Sequence, residues 1–90
     1  MKLQLKVTMA DGSEETATAV VADFIAWEKY SKRKISDLAN GAGMGDMAYL
    51  AYSVFKRKNP NLPDFDKWVE GIDSLEAVDD ADPKVSRKVR

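Results

Sequence analysis

Ninety residues make one domain with a modest core. Fourteen basic and fifteen acidic side chains nearly cancel, so the charge balance calls for neither nucleic acid nor an anionic membrane. Cysteine and histidine are both absent, which excludes a disulfide framework, a thiolate nucleophile, a zinc-finger pattern and the commonest general base.

Leu3, Leu5, Val7 and Met9 alternate with Lys2, Gln4, Lys6 and Thr8, the period-two pattern of a strand with one buried face. A second strand runs from about Glu14 to Val21, so residues 2–21 form a β-hairpin around Asp11-Gly12. A two-residue loop would pair Leu5 with Thr18 and set the two apolar rows on opposite faces. A three-residue loop, Ala10-Asp11-Gly12 with Gly12 left-handed, pairs Leu5 with Ala17 and Leu3 with Ala19 and puts both rows on one face. The second register is expected, and the small alanines leave room for a helix across them. Such a helix is needed, because a lone hairpin is not stable.

A first helix is expected near 23–31, with Asp23 in the dipole's favourable position and Phe24, Ile25 and Trp27 facing the core. Lys32-Arg33-Lys34 closes it, and Ile35 to Asn40 makes a short amphipathic turn capped by Ser36. Gly41-Ala42-Gly43-Met44-Gly45 matches neither the dinucleotide nor the Walker glycine spacing and follows a helix rather than a strand, so it reads as a flexible joint. The central helix, near 46–58 and capped by Asp46, carries Met47, Leu50, Ala51, Val54 and Phe55 on one stripe. Tyr49 and Tyr52 lie off that stripe, so the helix is apolar or aromatic around more than half its circumference, as a helix with two covered sides would be. Lys56-Arg57-Lys58 and Asn59-Pro60 end it. After Pro63, Asp64 caps a third helix near 64–77, with Phe65, Trp68, Val69, Ile72 and Leu75 on a single stripe and Gly71 as a weak point. From Asp79 the pattern dissolves into charge.

These elements predict an α+β fold, an N-terminal β-hairpin packed against a small bundle of three main helices, in a single domain over 1–78 followed by a flexible charged tail over 79–90. No catalytic, cofactor or metal residues are assigned. The carboxylates Asp64 and Asp66 start a helix, the run Asp79, Asp80 and Asp82 reads as solvated, and hydroxyls without histidine form no nucleophilic pair. An enzyme is not expected. Two of the basic clusters end helices, where the dipole accounts for them, and the helix spacing does not fit a helix-turn-helix reader, so no nucleic acid is expected. No run is long enough to span a bilayer and no apolar leader opens the chain, so the cytoplasm is the default.

Three stretches together resemble the small tail assembly chaperones of long-tailed (siphovirus-type) bacteriophages, encoded between the major tail protein and the tape-measure protein. Asp23-Phe24-Ile25-Ala26-Trp27-Glu28-Lys29, with Lys32-Arg33-Lys34-Ile35-Ser36-Asp37-Leu38 after it, is similar to that family's first-helix segment. Tyr49-Leu50-Ala51-Tyr52 with Lys56-Arg57-Lys58 resembles its central helix, although tryptophan is frequent there in the family. The run from Phe65 to Glu76, opening Phe-Asp-Lys-Trp, resembles its closing helix, with an Asp-Pro tail beyond. The resemblance implies a non-enzymatic factor in the cytoplasm of the infected bacterial host that binds the tape-measure protein and keeps it soluble while the tail tube assembles. It also implies contact with the tail-tube protein and a frameshifted long form of the chain, and either a homo-oligomer or multiple copies on one partner. Tyr49, Tyr52 and Trp68 are assigned to partner or self contact. Two other classes fit less well, a structural head–tail or tail component of the virion and a small nucleic-acid-binding regulator.

Overall fold

The computed structural model describes residues 2–39, 41 and 43–78. In chain order the elements are β1 (Leu3–Met9), β2 (Glu14–Ala19), α1 (Val21–Ser31), α2 (Ile35–Ala39), α3 (Met44–Lys58), α4 (Phe65–Val69) and β3 (Ile72–Val78). The fold is α+β, with the N-terminal hairpin packed against the helices. The sheet has three strands, antiparallel throughout, in the order β2-β1-β3.

The hairpin turns as its residues demand. Leu5 pairs with Ala17 and Leu3 with Ala19. Gly12 sits at φ 94°, in the left-handed region that glycine enters without steric cost. Asp11 accepts the backbone N–H and the hydroxyl of Ser13 at 2.8 and 2.7 Å, which steadies the loop and holds its carboxyl below the ordinary aspartate range.

α3 lies across one face of the sheet, where Leu5, Val7, Ala17, Ala19 and Leu75 meet Ala48, Leu50, Ala51 and Val54. Ala17 and Ala19 are fully buried, and their small side chains let α3 approach β2 closely. α1 packs on α3 through Phe24 and Trp27, and α4 covers another flank through Trp68. The opposite sheet face carries Gln4, Lys6, Thr8, Thr16, Thr18 and Glu76, a polar row suited to water.

Four expectations are corrected. The third helix does not run over 64–77: it ends at Val69, and Ile72–Val78 is a strand that supplies β1 with its second neighbour. Ile72 and Leu75 are three apart, a helical spacing, yet the register slips between Thr8 and Met9, so Asp73 is an extra residue on β3. That bulge turns a three-residue step into two side chains beside the core. Asp46 is not the N-cap of the central helix, which starts at Met44 after Gly43; Asp46 is three residues further on and reaches back to the Gly43 N–H at 3.0 Å. Ile25 is 47% exposed, because Asp23, Phe24 and Trp27 define the inward side of α1 and Ile25 falls nearly opposite their mean direction. Ser36 does not cap α2, since Asp37 accepts the Lys34 N–H at 3.2 Å one residue before the helix begins. The charged tail assigned to 79–90 lies outside the described residues.

Candidate protein-interaction face

α1 and α3 are joined at two polar clasps. Asp23 is fully buried, the only buried charged side chain among the described residues. It accepts the Val20 N–H at 2.9 Å, the Ser53 hydroxyl at 2.7 Å and an Arg57 guanidinium N–H at 2.6 Å. Its charge is thereby paired and its oxygens are satisfied, as a buried carboxylate requires. At the other end of the seam Asp46 accepts the Trp27 indole N–H at 3.0 Å and an Arg33 N–H at 3.3 Å, while Arg33 lies 5.2 Å from the Trp27 ring centroid. Burial opposes ionisation of Asp46. The Trp27, Gly43 and Arg33 donors outweigh it and hold the carboxyl below the ordinary aspartate value.

The basic clusters are thus partly spent inside the fold. Arg33 and Arg57 serve the clasps, and Lys56 donates to the Leu62 carbonyl at 2.6 Å, fastening the loop after α3. Among the described residues no three acidic side chains converge into a group that would hold a metal ion, and no helix is long and apolar enough to cross a membrane.

The other side of α3 is held by rings. Tyr49, from α3, stacks on Tyr30, from the end of α1, with centroids 4.0 Å apart and planes at 8°. Phe65, at the start of α4, meets Tyr49, Tyr52 and Tyr30 edge-on at 5.3, 5.5 and 5.7 Å. Trp68 lies beneath, 5.5 Å from Tyr52 and 5.9 Å from Phe55. Such offset and edge-to-face contacts are each worth about 0.5–1.5 kcal/mol beyond burial.

The three residues assigned from sequence belong to this one cluster but not to one level of it. Tyr52 and Trp68 are each 8% exposed, and the Tyr52 hydroxyl donates to the Pro63 carbonyl at 2.9 Å, which makes both of them core. Tyr49 is half-buried and points away from the side of α3 that carries Leu50, Ala51 and Val54. Tyr30, 52% exposed, and the half-buried Phe65 complete the outer layer and were not singled out in the sequence. A signal for Tyr30 existed, since it follows Trp27 by three residues on the same helix. Burial raises the Tyr49 and Tyr52 hydroxyls above the usual tyrosine range, helped at Tyr49 by the neighbouring tyrosines and at Tyr52 by Asp64. Both stay neutral near pH 7, so the face is an uncharged aromatic surface, with Asp64 the acidic neighbour of Tyr52.

No protein-family model matches the chain, and no curated protein or solved structure matches it significantly.

Proposed function

We propose that this protein is a non-enzymatic assembly factor of the phage tail-assembly-chaperone type, acting in the cytoplasm of an infected bacterium. It holds the apolar helical stripes of a tape-measure protein in solution while the tail tube forms. The observation that carries the reading is the aromatic layer of Tyr30, Tyr49 and Phe65, which three helices bring together on the side of α3 away from the sheet. Rings of this kind offer large apolar area at little cost in side-chain entropy, and an amphipathic helix laid over them buries its own stripe. The first two sequence stretches that resemble the chaperone family support the same reading, and Tyr49 belongs to both arguments; the third resembles a helix of that family, whereas its latter part lies in β3. Several copies would line one long partner, each covering a short length of it.

The test is co-expression of a tape-measure fragment with the wild-type chain and with the Tyr30→Ala/Tyr49→Ala variant. The wild type keeps the fragment in the soluble fraction and co-purifies with it; the variant, folded by circular dichroism, does not. A folded variant that binds and solubilises the fragment as well as wild type would overturn the assignment of this face. Finding the chain in finished particles would point instead to a structural component of the virion.

A further inference from the structure

We infer that the β3 edge of the sheet is a second docking site, which takes an extended segment of a partner protein with alternating apolar and cationic residues as a fourth strand. The two edges of the sheet differ. β2 has its core face sealed, with Ala17 and Ala19 fully buried. Both strands have β1 as their single neighbour, so β3, like β2, has one side of its backbone with no strand paired to it among the described residues, and the difference lies in what flanks that edge. Next to β3 lies an open, largely apolar groove of about 220 Å³ walled by Met44, Ala48, Val69, Ile72 and Leu75, with Asp73 and Ser74 also in its wall. Met44 stands 63% exposed at its rim. A strand added to β3 would satisfy the backbone groups along the edge and drop every second side chain toward this groove.

Charge selects the occupant. Asp73 and Glu76 are exposed on β3, and β3 carries no basic residue. Lys6, directly across from Glu76, has its ammonium group 3.6 Å from Glu14 on the far edge. Pairing two copies through β3 would set acid beside acid and is disfavoured. Acidic side chains alone would serve to protect an edge from promiscuous pairing, but protection does not require an apolar groove beside it. The two features together fit a strand whose apolar side chains enter the groove beside Asp73 and whose lysines or arginines, on the opposite face, meet Glu76.

The probe is a capped synthetic peptide as long as β3 that alternates valine and lysine, titrated into the full chain and followed by heteronuclear NMR. Saturable shifts and slowed amide exchange are expected along Ile72–Val78 and at Met44, without change along Glu14–Ala19. The Asp73→Lys/Glu76→Lys variant alters only exposed side chains and should bind the peptide at least about tenfold more weakly. A peptide of equal composition with its valines and lysines in two blocks should not compete. The inference is overturned if that control binds equally, if the charge reversal has no effect, if the shifts fall on the aromatic face, or if no saturable binding occurs. It is also overturned if the outer amides of β3 are already protected in the peptide-free chain, because a second copy or another part of the chain then occupies the edge. The readout is separate from tape-measure binding, so either proposal can fail alone.

Discussion

The two flanks of α3 are joined to the rest of the molecule by different physics. Toward α1, apart from the Tyr30–Tyr49 stack, the contact is directional: Asp23 accepts hydrogen bonds at 2.6–2.9 Å and Asp46 at 3.0–3.3 Å from named donors, and a small displacement would break them. Toward α4 the contact is a group of rings with one hydroxyl bond, from Tyr52 to Pro63. Ring contacts tolerate sliding and tilting far better than a buried ion pair does. The α1 seam therefore sets the frame, whereas the α4 seam is the one able to adjust to a partner laid over Tyr49.

The sharpest way to break this contrast is Asp23→Ala. It strips Arg57 and Ser53 of their acceptor and removes the carboxylate at the start of α1, for an expected loss of about 3 kcal/mol in urea denaturation. Adding Arg57→Ala to that variant should cost little more, a non-additivity that measures the pairing itself. Asp46→Asn is a milder cut, about 1.5 kcal/mol at neutral pH, because the amide keeps the shape and loses the charge. Its pH signature is specific. The folded-state pKa of Asp46 lies below the ordinary 3.8, so the stabilisation is complete above that value and is lost as pH falls through the folded value. The wild type should lose stability more steeply than the variant when denaturation is followed from about pH 4 downward. Smallest is Tyr52→Phe, about 1 kcal/mol for the hydroxyl bond, with the ring cluster intact. If Tyr52→Phe proved costlier than Asp46→Asn, the α4 seam would be the rigid one.

How far the sequence reveals these parts follows from how local their causes are. The hairpin register was readable because one loop length alone brought Leu3, Leu5, Ala17 and Ala19 to a common face, and the central helix was readable from the stripe of Leu50, Ala51 and Val54. The strand at Ile72–Val78 was not. Its alternation is broken by a bulge, Leu75, Glu76 and Ala77 are good helix formers, and the decisive factor is β1, some seventy positions away, which needs a second neighbour. In the sequence Tyr52 reads as lying off the main stripe of its helix and Trp68 as part of the stripe of its own, and both are assigned to contact. Only the placement of Pro63 and Phe65 shows them buried and shows Tyr30 and Tyr49 above them.

Because β1 is the middle strand and its second neighbour is the last described element, the order of synthesis matters to how the chain reaches its native state. Residues 3–9 emerge from the ribosome early and can close the hairpin at once, yet one edge of β1 waits until Ile72–Val78 has been made. Pairing over such a separation closes a loop of nearly the whole domain, the kind of contact that slows folding and makes it cooperative. Until then the nascent chain presents an apolar strand with an open edge, and during that interval it is itself a client in need of shielding.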